Sequence, residues 1–383
     1  METVKGFNDY TGEEAIKRQK VKEVLIKYFS LYGFEPAETP VIEYEEFVKG
    51  NNSEDEAVSD IFKLNDKGKR KLALRYEFTF QLKRIAKDKK LPYKRFQISE
   101  VFRDEPVSSN RFRQFTQCDI DIIGSSIKEE AEILILTYNA LKELNIDPII
   151  NINNRKLLNE ILEKEGIKNK EEVIREIDKL DKLSKQEIKN NLKKFKAEKV
   201  LDIFNEKETY FEKYDSYKEI KELKKYCSNY GIKINFQPYL ARGLSYYNGT
   251  IFEVKSSKMK ETICAGGSYL VNNIQSTGIS FGLDRLNKLA ELKTKENNVL
   301  IVALSEDKKV FEIAEELRKN NINCSLIFGK PSKALDYANS KKINYVLFIG
   351  EKELKLKKLK LKNMDSGKEE MLTLVQLTKK FSS

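Results

Sequence analysis

The sequence predicts an α+β fold: an antiparallel sheet with helices packed on it, a short helical insertion, and a C-terminal α/β domain. Three observations predict it. The stretch Arg103–Asp121 reads RDEPVSSNRFRQFTQCDID. Its second arm reads as a strand, so Arg111, Arg113, Phe115, Gln117, Asp119 and Asp121 would share one face. Residues 154–232 are Lys/Glu-rich, nearly glycine-free and helical in pattern, as in REIDKLDKLSKQEIKNNLKKF. Beyond a polar linker, ELKTKENN at 291–298, strand-like and helix-like runs alternate.

Taken in order, Thr11-Gly-Glu-Glu14 fits a capping box. Ile16, Val21, Val24, Leu25, Tyr28 and Tyr32 follow at helical spacing, up to a stop at Gly33. DIFKL and KLALRYEF read as strands and QLKRIAKD as a helix. FQISEVFRDE then pairs with the arm ending at Asp121 through a turn at Pro106–Asn110. IKEEAEILILTYNALKEL reads as a helix and PIININN as a strand. In the last domain NVLIVAL, CSLIFG and YVLFIG read as strands of a mostly parallel sheet. The lysine-rich run KELKLKKLKLKN (352–363) suits either a phosphate-contacting strand or an edge strand protected by its charges. The expected domains are therefore 1–153 with 233–292, the insertion 154–232, and 299–383.

Composition narrows the chemistry. The 383-residue chain carries a formal charge of +11, which favours polyanionic partners, nucleic acid above all. It has no histidine. Imidazole acid–base catalysis, Ser-His-Asp triads and His-ligated metals are thereby excluded. Any mechanism must use carboxylates, arginines, tyrosines and backbone. Cys118, Cys227, Cys264 and Cys324 lack C-x-x-C spacing, which argues against a zinc site or a disulfide framework. With no membrane-length apolar run and no signal-peptide pattern, a cytoplasmic location and no membrane partner are expected. A solvated hairpin would show the same alternation at 111–121. However, two arginines, an aromatic ring, an amide and two carboxylates together suit a site for a polyanion, a flat ring and a cation.

Five segments carry a family resemblance, in family order. VFRDEPVSSNRFRQFTQCDIDIIG (101–124) resembles motif 2 of the class II aminoacyl-tRNA synthetases, and its CDIDIIG end resembles the histidyl-tRNA synthetase form. LRYEFT (74–79), ARGLSYYNGTIFEV (241–254) and CAGGSYL (264–270) are similar to that family's LRPE-x-T, RGLDYY and AGGRYD segments. GISFGLDRL (278–286) resembles motif 3, and Pro40 sits where motif 1 places its proline. The resemblance implies a class II catalytic core with an anticodon-binding-like C-terminal domain. It implies a homodimer, and ATP with Mg2+, L-histidine and tRNA(His) as substrates, with no protein-ligated metal.

By position, the resemblance assigns Arg103 to the α-phosphate and Arg111 to the β/γ side. Phe115 and Arg285 would sandwich adenine, and Glu105 would contact adenine or the acceptor end. Arg242 would approach the substrate carboxylate and α-phosphate opposite Arg103, in the place of a metal ion. Glu77, Thr79 and Gln117 match positions for the α-amino and carboxylate groups, and Asp121 and Tyr247 those that read the imidazole. Tyr246 and Tyr269 would line the pocket. Five departures from the family pattern stand out: Ser245, Ser268 and Leu270 in the signature loops, Thr116 in motif 2, and Asp121 where the longer Glu is more usual. The first three put in question the loop expected to close the pocket. The alternative reading is a synthetase-like, histidine-binding regulatory paralogue of histidine biosynthesis. That paralogue typically lacks the C-terminal domain and part of the arginine set, both of which this chain keeps.

Overall fold

The computed structural model describes residues 1–49, 60–181, 183–242, 246–292, 298–304 and 307–381. It divides into two units, Met1–Leu292 and Lys293–Ser383.

The first unit is built on β1 (Glu35–Pro36), β2 (Ile42–Tyr44), β3 (Lys63–Asn65), β4 (Lys71–Leu74), β5 (Tyr93–Phe102), β6 (Gln114–Ile123), β7 (Ile149–Asn154), β8 (Ile234–Phe236), β9 (Tyr247–Ser256), β10 (Met259–Val271) and β11 (Ile274–Gly282). Eight of these form one sheet in the order β1-β5-β6-β11-β10-β9-β7-β8. The pairings from β5 through β7 are antiparallel, and the two outer pairings are parallel. A small sheet, β2-β4-β3, stands apart.

Alternation along β6 separates core from cavity. Cys118, Ile120 and Ile122 turn into the apolar core, which Phe29 of helix Gly12–Leu31 enters against Phe96 and Phe281. Helix Ile127–Glu143 adds Ile133, Leu134 and Leu141 to that layer. Burying each such side chain contributes about 1.5–3 kcal/mol. The odd-numbered Phe115, Gln117, Asp119 and Asp121 line a cavity on the other face. The alternation does not reach back to Arg111. β5 ends at Phe102 and β6 begins at Gln114, and the connection holds an isolated bridge between Ser108 and Arg111. Arg113 therefore turns away from the cavity and pairs with Asp104 at 3.1 Å.

Residues 154–232 form helices Arg155–Lys164, Lys170–Asp178, Lys185–Lys193, Val200–Ile203 and Tyr217–Asn229. Leu157, Ile161, Val173, Ile177, Ile188 and Leu192 are buried in the same cluster as the sheet core, so these helices are packed against the sheet unit rather than forming a solvated spacer. The capping box expected at Thr11 does not form: Thr11 is the N-cap, yet its hydroxyl caps nothing, and Gly12 at φ +58 turns the chain there. Ser126 with Glu129 and Ser184 with Glu187 form complete boxes instead.

The second unit orders β12 (Val299–Ala303), β13 (Cys324–Phe328), β14 (Tyr345–Ile349), β15 (Leu359–Asn363) and β16 (Glu369–Leu372) as β13-β12-β14-β15-β16. The first three strands are parallel, and β15 and β16 are antiparallel additions. The lysine-rich run is thus not an edge. Its first part is the helix Glu351–Leu356, and β15 is covered by β16, with Leu359 and Leu361 in the core and Lys360 paired to Glu369 at 2.7 Å.

Candidate active site

Two rows of register partners cross the sheet at the cavity, which their middle members Asp121, Gly278, Asp119, Ser280 and Ala265 line. One runs Arg95, Asp121, Gly278, Gly267 across β5, β6, β11 and β10. The next runs Gln97, Asp119, Ser280, Ala265, Glu253 from β5 to β9. Such partners share a sheet face, so the polar groups are brought together by pairing alone. Glycine at 278 is needed for the floor to close, since a Cβ there would lie 2.1 Å from Asp121 Oδ1. A Cβ at Gly266 would lie 2.0 Å from the carbonyl of Gly278.

One end of the cavity is cationic. Arg103, Arg111, Arg242 and Arg285 all line it. The Arg103 guanidinium stacks on Tyr76 at 4.2 Å and Phe115 at 5.1 Å from the ring centroids. Arg111 pairs with Glu105 at 3.1 Å, and Arg285 Nη1 donates to the Thr262 carbonyl at 2.6 Å. Burial pulls the Arg285 pKa below its usual value, and the cations Arg111, Arg103 and Arg242 push it the same way. Glu261 opposes both effects. Arg242 is 4.0 Å from Glu253, and its Nε has no hydrogen-bond partner among the described residues. Burial acts to lower its pKa, but Tyr247, Asp178 and Glu253 outweigh it and the net direction is up.

The other end is acidic and aromatic. Glu77, Asp119 and Asp121 are buried together. Burial raises Glu77 to about 7, with Arg103 and Thr79 opposing and Asp121 adding to the rise. Burial likewise raises Asp119 to about 7 against the pull of Arg95. Asp121 is raised by burial, although Arg95 and Tyr269 hold it down. Arg95, fully buried, meets Asp121 Oδ2 at 2.6 Å, and the Tyr269 hydroxyl donates to Oδ1. Gln117 Nε2 donates to Ser280 Oγ at 2.6 Å and reaches Asp119 at 3.3 Å. Tyr246, Tyr247 and Tyr269 pack as a trio, with centroids 4.7, 5.5 and 6.4 Å apart, and Tyr246 reaches Glu77 at 3.5 Å.

Every residue singled out in the sequence for phosphate, adenine or histidine therefore borders a single cavity, Thr79 and Glu105 included. Arg95, Asp119, Gly278, Ser280 and Glu253 carried no assignment. Asp119 was visible on the shared face. Arg95 and Ser280 become legible only once strand register is known.

The family model described as histidyl-tRNA synthetase matches residues 6–286. The chain belongs to the histidyl-tRNA synthetase family. A second model, the anticodon binding domain, matches residues 298–383. Histidine–tRNA ligase 1 of Bacillus cereus (strain ATCC 10987 / NRS 248) is 35% identical, over 98% of this chain and 96% of its own. Histidine–tRNA ligase of Clostridium tetani is 33% identical, over 98% and 96%. The crystal structure of histidyl-tRNA synthetase from Nostoc sp. PCC 7120 superimposes with a TM-score of 0.86 at 24% identity, covering 99% of this chain and 98% of its own.

Seen as a histidyl-tRNA synthetase family member, the chain absorbs most of its departures without altering the cavity. Ser268 points to the helical face, where its hydroxyl donates to the buried Glu130. Leu270 is exposed. Thr116 also turns from the cavity: its hydroxyl accepts from Arg18 at 3.2 Å, and Arg18 pairs with Asp284 at 2.6 Å. Ser245 lies outside the described residues.

Proposed function

We propose that the protein is a histidine–tRNA ligase. It would activate L-histidine with MgATP to histidyl-adenylate and pyrophosphate, then pass the histidyl group to the 3′ end of tRNA(His). The observation that carries this is one cavity with four arginines at one end and three buried carboxylates beneath three tyrosines at the other. A molecule that is a polyanion at one end and a cation with a polar ring at the other satisfies both ends at once.

In the first step the histidine carboxylate attacks the α-phosphate and pyrophosphate leaves. No side-chain nucleophile or imidazole base is required; positioning and charge stabilisation carry the step. Arg103 and Arg242 flank the α-phosphate. Arg111 and Arg285 take the β/γ end, and magnesium arrives with ATP. Phe115 and Arg285 hold adenine, and Glu105 contacts adenine or the acceptor end. Glu77, Thr79 and Gln117 hold the amino and carboxylate groups, with the ammonium adding to the counter-charge that Arg103 gives Glu77. Asp121, Tyr247, Tyr246 and Tyr269 enclose the imidazole.

The protein acts as a homodimer in this reading. Val41, Ile42 and Tyr44, next to Pro40, are exposed apolar groups on which a second copy would close. The domain division at 154–232 and 299–383, tRNA(His) as partner and a cytoplasmic location belong to the same reading. Among the described residues no helix is long and apolar enough to cross a membrane.

The deciding experiment is exchange of labelled pyrophosphate into ATP with each amino acid in turn. Exchange with histidine alone is expected. Histidine binding without any exchange would favour the regulatory alternative.

A further inference from the structure

Helix Gly12–Leu31 buries one charged side chain among its apolar contacts, Arg18. Its guanidinium meets three groups at once. Nη1 donates to Asp284 Oδ1 at 2.6 Å, Nη2 donates to the Thr116 hydroxyl at 3.2 Å, and the guanidinium carbon lies over the Tyr10 ring, 3.8 Å from its centroid. Asp284 gathers the same elements from the other side. Its Oδ1 also accepts from the Tyr10 hydroxyl at 3.0 Å, and its Oδ2 accepts from the Thr116 backbone N–H at 3.4 Å. Thr116 follows Phe115 on β6, and Asp284 precedes Arg285 in the helix Leu283–Leu289. Phe115 and Arg285 line the cavity, and Phe115 also borders a smaller recess lined by Tyr10, Arg18 and Thr116. The two residues assigned to adenine thus each neighbour, along the chain, a partner of Arg18.

We propose that Arg18 is a positioning residue for the nucleotide: through Asp284 and Thr116 it sets the spacing of Arg285 and Phe115, between which adenine lies. The proposal rests on the ATP reading above. Arg18 does not itself line the cavity, so it acts only through its partners. Its ion pair is buried, with the two side chains 10% and 12% exposed. Such a pair adds little net stability over apolar side chains of the same size, because desolvation offsets most of the attraction. What it supplies is geometry, since a planar fork bonded to two acceptors fixes both of them. The two sides of the adenine site stand on different elements, a strand and a helix. A shift of about 1 Å at such a support is enough to be felt at the site.

The test is the KM for ATP and for histidine in pyrophosphate exchange, beside the inhibition constant of adenosine, which carries the ring without phosphates. Arg18→Met keeps the bulk of the stem and is expected to raise the ATP KM and the adenosine constant together, by about 5- to 30-fold. The histidine KM should stay within about threefold of wild type, because the acidic end shares none of these partners. Arg18→Lys covers the case of an unstable methionine variant. It keeps the charge but not the fork, and should raise the ATP and adenosine constants by more than about threefold. Combining Arg18→Met with Asp284→Asn should be no worse for ATP than the more damaging single change, because both cut one tie. An ATP KM within about threefold of wild type in every folded Arg18 variant overturns the proposal. A parallel loss for ATP, adenosine and histidine overturns it too, because Arg18 would then serve only the fold. So does an ATP KM that rises with adenosine unmoved, which would place the effect on the phosphates, and so do losses that multiply in the double variant. A wild-type protein with no histidine-dependent exchange would instead sink the parent reading, whereas a failure confined to the variants touches this proposal alone.

Discussion

At the scale of single residues, the proposed function is tested first at the charged groups of the cavity. Among the described residues, the Arg242 Nε has no hydrogen-bond partner, and its guanidinium lies 4.0 Å from Glu253. In the proposed function that group serves the substrate. Arg242→Ala should lower histidine-dependent pyrophosphate exchange by about two orders of magnitude with the thermal midpoint little changed. Near-wild-type exchange would remove Arg242 from the mechanism. Glu77 and Asp119 give a second test. Each rises from an ordinary value of 4.5 or 3.8 to about 7 on folding. The native state therefore binds protons that the unfolded chain has already lost between those values, and stability falls as pH climbs through that window. The ligand-free melting temperature should drop from pH 5 to pH 7, level off about pH 8, and drop less in Glu77→Gln. A flat profile would mean that neither carboxyl is shifted. With no histidine in the chain, no imidazole titration can mimic the effect. Arg103, Arg111 and Arg285 could be singled out because the segments that carry the family resemblance contain them. Arg95 was not, because its role exists only opposite Asp121 across the β5–β6 ladder.

At the scale of elements, the sequence was read well where one period ran unbroken. β6 and the helix Ile127–Glu143 lie where alternation and helical spacing put them. It was read poorly where local chemistry competed with tertiary context. The arm before β6 looked like its continuation, yet the chain folds back through the Ser108–Arg111 bridge and turns Arg113 away. The lysine-rich run suited an edge strand as well as a phosphate-contacting one, because β16, which covers β15, meets it only in three dimensions. The glycine at 278 carried no signal of its own, although the whole crossing of β6 and β11 turns on it. Gly278→Ala should destabilise the protein by about 1–3 kcal/mol and raise the histidine KM, since the new methyl must displace Asp121. A variant with unchanged urea midpoint and unchanged KM would show that the two strands can part without cost.

At the scale of the whole molecule, the chain forms two units with separate cores. The cavity residues all belong to Met1–Leu292. Removing 299–383 should therefore leave histidine-dependent exchange within a few-fold of wild type and abolish tRNA(His) charging. Unchanged charging after that deletion would refute a tRNA-binding role for the C-terminal unit. Its boundary was legible as a polar stretch between patterned runs. The packing of 154–232 into the sheet's own core was not, because an amphipathic helix does not announce what its apolar side will meet.

The tyrosine trio has one more consequence. Its rings stand 4.7 to 6.4 Å from one another around the acidic end, and aromatic ring currents displace the magnetic resonances of any nucleus lodged among them. The polypeptide contributes no imidazole signal. In a complex with carbon-13-labelled histidine, the ring resonances would come from the ligand alone, shifted by its aromatic enclosure. Their movement with pH would report the protonation of the bound ring without background and without a single mutation.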